Sequence, residues 1–201
     1  MDATDTLMSE HRLIERVVGA LVSFADGLRR EETGDRDELG RFVTFIREFA
    51  DACHHGKEEK ILFSAMVEAG FPKEAGPIAV MLMDHDQGRS HTRVLAELAT
   101  GSKPWAAADR DRLAAASRAY ADLLCAHIQK EDRILYPMAE HRLPQGLQER
   151  VDADCQAFQA QKIATGEYER LRHLGEELVA RHAPIQDGDA PSSTGTRQAC
   201  S

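Results

Sequence analysis

The sequence predicts an all-α protein: an antiparallel up-and-down four-helix bundle with an additional C-terminal helix and a disordered tail. Apolar residues recur every three or four positions along four long stretches, none of which alternates in the manner of a strand. Loops of roughly four to six residues join these stretches, and such short loops favour antiparallel neighbours. The composition is rich in Ala, Leu, Glu and Arg, with only 5% aromatic residues, which also favours helices.

The first two helices are predicted at residues 5–32 and 37–69. The apolar stripe of the first contains Leu7, His11, Ile14, Val18, Leu21, Ala25 and Leu28. The stripe of the second contains Leu39, Phe42, Ile46, Ala50, His54, Glu58, Ile61 and Ala65. Residues 33–35 are predicted to form a turn. Gly70 and Pro72 end the second helix, because Gly is favoured just beyond a helix and Pro cannot continue one.

The third and fourth helices are predicted at residues 73–100 and 107–142. The stripe of the third contains Ile78, Met81, His85, Gly88, Thr92, Leu95 and Ala99. The stripe of the fourth contains Leu113, Ala116, Tyr120, Leu123, His127, Glu131, Ile134 and Met138. Pro137 lacks a backbone N–H, so it is predicted to disturb the regular hydrogen bonding of the fourth helix.

The chain divides into three predicted parts. Residues 1–142 form the bundle, and residues 143–182 form a C-terminal helical extension that packs on the bundle or on a partner, which makes a homodimer through this extension an expectation. Thr165 and Gly166 are predicted to interrupt the extension. Residues 183–201 are dominated by Pro, Gly, Asp, Ser and Thr, a composition typical of a disordered tail.

Charge and composition exclude several classes of partner. The net charge of −9 provides no basic field to attract nucleic acid or an anionic membrane. No apolar run reaches the roughly 18 residues of a membrane span, and the acidic start of the chain is not typical of a secretory signal. The cysteines form no closely spaced pair and are interpreted as free thiols: Cys53, Cys125, Cys155 and Cys200. These features predict a cytoplasmic protein.

Residues 54–63 and 127–136 carry the same pattern. Each is His-x-x-x-Glu followed by an acidic residue, a basic residue, Ile, Leu and an aromatic residue. Because four residues make about one helical turn, His54 and Glu58 project from the same helix face, and the same holds in the second copy. The repetition indicates a duplicated helical hairpin.

The two preceding helices each add a histidine on the apolar stripe, at nearly the same distance before its His-x-x-x-Glu copy. A lone helical histidine is usually a satisfied core or surface residue, and one His-x-x-x-Glu is commonly a surface pair. Coincidence is a poor explanation for the whole set, because all six residues lie on the apolar stripes of their helices and follow the sequence repeat. The predicted metal ligands are His11, His54, Glu58, His85, His127 and Glu131.

Energetics explain why such a set predicts a metal centre. An unpaired carboxylate buried in a protein costs several kcal/mol, so proteins pair it or neutralise it. Two divalent or trivalent ions with oxide or hydroxide between them match two carboxylates and four imidazoles. Carboxylate and imidazole ligands in a bundle core are typical of di-iron or di-manganese sites.

The motifs resemble those of the hemerythrin-like family, also called the HHE cation-binding domain. The resemblance covers roughly residues 5 to 141, and residues 145–181 are similar to the extra helix of many bacterial single-domain members. Its four motifs occur in order: Glu10-His11-Arg12, His54 to Phe63, Asp84-His85 with Arg89, and His127 to Pro137.

The resemblance implies a non-haem di-iron centre, oxo- or hydroxo-bridged, that binds or reacts with O2, peroxide or NO; manganese is the chemical alternative. By position, His11 and His54 bind one iron and His85 and His127 the other, with Glu58 and Glu131 as bridges. A peroxidase- or catalase-like enzyme, a metal-responsive regulator and a helical interaction module are alternative functions.

Two departures from the family matter. The marine oxygen carriers have a second histidine on the third helix where this chain has Arg89, and a guanidinium cannot serve as a ligand. Their bridging Asp aligns with Asp132, one residue after Glu131.

His55 is interpreted as a surface residue, although a shift of register substitutes His55 and Glu59 for the preceding His and Glu.

Overall fold

Six helices make up the part of the chain that the structure describes. The structure is a computed structural model, and it describes residues 1–30, 35–101 and 104–182. No strand occurs within these ranges, which confirms the all-α prediction. The predicted tail and residues 33–34 of the predicted turn lie outside them. The helices are α1 (Asp2–Arg30), α2 (36–68), α3 (Gly76–Ala99), α4 (107–142), α5 (Gln145–Ala164) and α6 (Glu167–Arg181).

Helices α2 and α4 change their winding beside the predicted ligands. In α2, π-helical turns at Ile46–His55 and Glu58–Leu62 separate two α-helical ends, and α4 has one at Glu131–Leu135. The turns at Glu58–Leu62 and Glu131–Leu135 occupy equivalent positions of the repeat. Pro137 follows the latter, so the predicted disturbance is confirmed, but Glu58–Leu62 forms the same turn without a proline. π-Turns are rare in proteins, and those that occur are often found at functional sites.

Glycines with positive φ mark three helix boundaries. Gly70 (φ 94°) follows α2, as the sequence predicts, and Gly76 (φ 68°) begins α3. Gly166 (φ 72°) separates α5 from α6, which confirms the predicted interruption. Glycine is favoured at these positions because a Cβ atom makes the left-handed region costly.

A layer of polar side chains divides the core in two. The first apolar cluster includes Leu21, Phe42 and Leu113, and the second includes Leu62 and Met66. Along each of α1 to α4, the predicted ligands lie where one cluster gives way to the other. We call these buried side chains the polar layer: His11, His54, His55, Glu58, His85, His127 and Glu131.

The packing of the helices brings the four ligand-bearing segments together. Helix α1 packs on α4, α4 packs on α3, and α3 packs on α2. Helix α6 packs on α1 and α2, and α5 contacts the same two helices. None of the helices in the described ranges has the length and apolarity needed to cross a membrane.

The cysteines follow the prediction only in part. Cys53 and Cys155 are free and buried, and burial raises the pKa of both thiols. Cys125 is not a free thiol, so the prediction was wrong at this position. Cys200 lies outside the described residues.

Candidate metal centre

The structure brings all six predicted ligands into the polar layer. His11, Glu58 and Glu131 are fully buried, and His54, His85 and His127 have at most 2% of their surface exposed. Burial of this degree removes both carboxylates from water. Their charges therefore have to be balanced within the protein.

The donor atoms of the polar layer form two overlapping groups, in each of which they lie within 4.8 Å of one another. The first group consists of His11, His54, Glu58 and Glu131. The second consists of His55, Glu58, His85 and His127. Because Glu58 belongs to both, its carboxylate lies where it can bridge two ions.

Glu131 also reaches both groups. Its Oε2 lies 3.3 Å from Nε2 of His11 and 3.1 Å from Nε2 of His127, while its Oε1 lies 4.0 Å from Nε2 of His85. On the other carboxylate, Oε2 of Glu58 lies 3.5 Å from Nε2 of His85. The predicted bridges therefore lie between the histidines of the two groups.

Each imidazole of the polar layer has its other nitrogen, Nδ1, next to a carboxylate. These pairs are His11–Asp132 (2.7 Å), His85–Glu59 (2.7 Å), His54–Glu10 (2.9 Å), His55–Asp51 (3.3 Å) and His127–Asp84 (3.4 Å). A proton on Nδ1 leaves the lone pair of Nε2 directed at the carboxylates of the layer. Acids behind histidines orient metal ligands in this way. Glu59 and Asp132, the alternative acidic ligands, occupy this outer position.

His55 is the residue that the sequence interpretation missed. It is 6% exposed and its ring stacks on that of His85, with centroids 3.9 Å apart, so its assignment to the surface was wrong. Neighbouring residues lie about 100° apart on an α-helix, but a π-turn has more residues per turn and brings His54 and His55 closer to one face. The sequence does contain one signal for His55: Asp51 lies four residues before it, a spacing that lets the carboxylate contact the imidazole.

Arg89 forms ion pairs with the two acids that contact His55 and His85. Its Nη2 donates to Asp51 and to Glu59, each at 2.7 Å, and its Nε donates to Asp51 at 3.0 Å. Since Asp51 pairs with His55 and Glu59 with His85, Arg89 holds the stacked histidines in register. Arg89 also pairs with Asp86, at 3.1 Å.

Tyr136 contacts the layer from the second apolar cluster. Its hydroxyl donates to Oε1 of Glu58 at 2.6 Å, and its ring stacks on His11 at 5.6 Å between centroids. Burial, followed by the charges of Glu131 and Glu58, raises its pKa well above the usual value, so the phenol stays a donor.

The pKa values of the layer show uneven charge balance. Burial and the charge of Glu131 raise the pKa of Glu58 well above its usual value. Burial acts in the same direction on Glu131, but the charges of His127 and His11 outweigh it and lower the pKa. Burial lowers the pKa of His54 to about 4. Burial also acts to lower the pKa of His127, but Glu131 and Asp84 together outweigh it and raise this pKa to about 9.

The unpartnered atoms of the layer test whether it suits a metal. Among the described residues, no hydrogen-bond partner exists for Nε2 of His54, Oε2 of Glu58 or either carboxylate oxygen of Glu131. Nitrogens of His11 and His127 lie near Glu131, but they form no hydrogen bond with its carboxylate. A cation turns the contact into shared coordination. Nitrogen and carboxylate donors suit iron, manganese or zinc, so the layer fits a metal pair.

Comparison with known proteins agrees with this geometry. The hemerythrin HHE cation-binding domain matches residues 2–139. The chain belongs to this family. The resemblance of its motifs is thereby confirmed, and the hemerythrin-like match ends before α5.

Two kinds of relative are similar to this hemerythrin-like chain. Uncharacterized proteins of Mycobacterium bovis and Mycobacterium tuberculosis are 28% identical over 138 residues, 67% of this chain and 52% of theirs. A probable iron-sulfur cluster repair protein of Haemophilus influenzae is 31% identical over 109 residues, 52% of this chain and 49% of its own length. The chain thus spans about half of the relatives it matches. No solved structure matches it.

The remaining histidines lie outside the polar layer. His141 and His173 are exposed, and His91 is half-buried. His182 is also half-buried, and its Nε2 lies 2.9 Å from Oε1 of Glu38.

Proposed function

We propose that this hemerythrin-like protein binds two iron ions between α1, α2, α3 and α4, arranged as an antiparallel up-and-down bundle. The pair binds or reacts with O2, peroxide or NO, with manganese as the alternative metal. The observation that carries the proposal is the set of buried, unpartnered carboxylate oxygens that lie next to histidine nitrogens. Two cations are the simplest group that satisfies them all.

The two donor groups suggest how the ligands divide. His11 and His54 hold one ion, while His55, His85 and His127 hold the other, with Glu58 and Glu131 between them. This assignment adds His55 to the ligands that the sequence predicts. It also makes the two ions unequal, because one has two imidazoles and the other has three.

The protein's own residues prepare the centre for this role. An iron pair supplies reversible redox chemistry and coordination positions that small molecules can occupy. The acids behind the imidazoles hold each Nε2 in place, and Arg89 fixes two of these acids. Tyr136 donates a hydrogen bond to Glu58, and the two apolar clusters cover the layer on either side. The iron-related name of the Haemophilus influenzae relative favours iron over manganese.

Metal analysis of protein purified without a histidine tag tests the proposal. We expect two ions per chain, predominantly iron, and a loss of at least one ion in Glu58→Ala, because this carboxylate belongs to both groups. Glu97→Ala, at an exposed position of α3, is the matched control and keeps both ions. A wild-type chain that takes up no metal in iron-supplemented expression contradicts the proposal.

A metal-responsive regulator is the second candidate, favoured by a link to α6. The hydroxyl of Tyr168 donates to Glu10 at 3.1 Å, and Glu10 holds Nδ1 of His54 at 2.9 Å. Lys57, also buried, pairs with the same carboxylate. Glu10 therefore connects His54 to α6, and we propose that it passes a movement of His54 to this helix.

The domain boundaries at 142 and 182 remain predictions. So do the cytoplasmic location and a homodimer through the C-terminal helices.

A further inference from the structure

A cavity of about 300 Å³, lined by α2, α3 and α4, reaches the polar layer. His55, His85 and His127, all buried, line its inner end. Apolar side chains, including Ile46 and Leu124, line its walls. The cavity thus ends at the three imidazoles of one donor group.

The volume exceeds what O2, NO or peroxide requires. One water occupies about 30 Å³ of liquid, and a diatomic molecule is of similar size. Cavities that bind small organic molecules begin at about 300 Å³ and are mostly apolar. The size and the walls both indicate a ligand with an apolar body.

The mouth of the cavity is positively charged. Exposed Arg47 and Arg93 line it, and neither forms an ion pair with the residues that the structure describes; Arg93 donates to Oγ of Ser90 at 2.7 Å. The acids of the lining are engaged elsewhere: Asp51 pairs with Arg89, and Asp84 with His127 and Lys130. An anionic group at the mouth therefore meets two available guanidinium groups.

We propose that the cavity binds a small amphipathic organic acid. Its carboxylate lies at Arg47 and Arg93, and its apolar chain extends toward His55, His85 and His127. The inference rests on the proposed function, because it names the ligand class that reaches the same metal pair.

Gly88 keeps the cavity open. A Cβ atom at this position lies 3.7 Å from the ring of Tyr120 and 4.0 Å from Leu123, which is ordinary contact distance. A methyl group fits there, whereas a leucine side chain occupies space that the ligand's chain needs. Gly40, with nothing within 4 Å of its Cβ position, offers a matched control.

The first experiment titrates octanoate into metal-loaded protein by calorimetry, with 1-octanol and acetate for comparison. We expect saturable binding of one octanoate per chain, and weaker binding of octanol, which lacks the charge, and of acetate, which lacks the chain. Gly88→Leu lowers octanoate affinity at least about tenfold, whereas Gly40→Leu leaves it unchanged. Metal content is measured in every sample.

The second experiment removes charge at the mouth, so it decides the question even if Gly88→Leu fails to fold. The double variant Arg47→Gln/Arg93→Gln weakens octanoate binding about threefold to tenfold at low salt and flattens its salt dependence. Arg30→Gln, at an exposed site outside the cavity lining, has no such effect. Metal-loaded protein that does not bind octanoate overturns the cavity assignment alone. Protein without metal overturns the proposed function instead.

Discussion

Position 89 distinguishes this chain from the marine oxygen carriers that the sequence resembles. Their third helix supplies a second histidine at the position of Arg89. Here the additional buried imidazole is His55, on α2, and Arg89 binds Asp51, the acid behind that imidazole. Arg89 stands where the oxygen carriers have a histidine ligand. It thus supports His55, the residue that we propose as the substitute ligand.

Substitution of His55 tests whether this residue is a metal ligand. We expect His55→Ala to weaken the binding of one ion by at least about tenfold, because one donor group loses an imidazole. Metal content after dialysis against a graded chelator series measures the effect. His91→Ala, at a half-buried position outside both donor groups, is the control. Unchanged retention of both ions in His55→Ala excludes His55 as a ligand.

At the scale of helices, the docking of α6 depends on the close approach of Gly175. A Cβ atom built there lies 2.6 Å from Cε2 of Phe45 and 3.3 Å from Cδ1 of Leu13. The ring of Phe45 is buried and stacks on Phe49 with centroids 5.0 Å apart, so it has little room to move. Only glycine allows this contact between α6 and the helices beneath it.

Gly175→Ala is therefore expected to destabilise the protein. Overpacking costs about 1–3 kcal/mol, whereas the better helix propensity of Ala returns about 1 kcal/mol, so the loss prevails. Gly146→Ala, in α5 with nothing near its Cβ position, gains only the propensity and stabilises the protein. Urea denaturation of both variants measures the free energies of unfolding. Equal stabilisation in the two contradicts the packing argument.

At the scale of the whole molecule, acids hold histidines both within and between the two halves of the bundle, α1 with α2 and α3 with α4. Glu10, before the histidine of α1, holds the histidine of α2, and the equivalent Asp84 of α3 holds that of α4. Glu59 and Asp132, which follow the two central glutamates, hold the histidines of α3 and α1. The first two pairs each lie within one half of the chain, whereas Glu59 and Asp132 each hold a histidine of the other half. The centre and the packing of the helices are therefore coupled.

Metal removal is expected to lower the melting temperature because a bound ion stabilises the folded state. At about a thousandfold excess over Kd, one site contributes about 4 kcal/mol, which corresponds to roughly 10 °C for a chain of this size. Calorimetry of metal-loaded and metal-free protein measures the shift. Identical melting temperatures contradict a structural role for the metal.

The same two samples test the regulatory candidate. If the link from His54 through Glu10 to Tyr168 transmits the metal state, trypsin cleaves α6 faster in the metal-free protein. Equal cleavage rates in α6 count against it.

The sequence by itself determined the helices and placed the six predicted ligands on their buried faces, because both follow from spacing along the chain. Apolar stripes with helical periodicity predict which face is buried, and His54 and Glu58 share that face because they are one turn apart. Gly70 and Gly166 ended helices as predicted, since their conformation is a local property.

Only the tertiary structure decided the details of the centre. The burial of His55 accompanies a π-turn, which the apolar periodicity of an α-helix does not reveal. The partners of the imidazoles come mostly from other helices, as Glu10 does for His54, and no pattern within one helix reveals them. Periodicity predicts which face of a helix is buried, but the contacts on that face depend on the other helices.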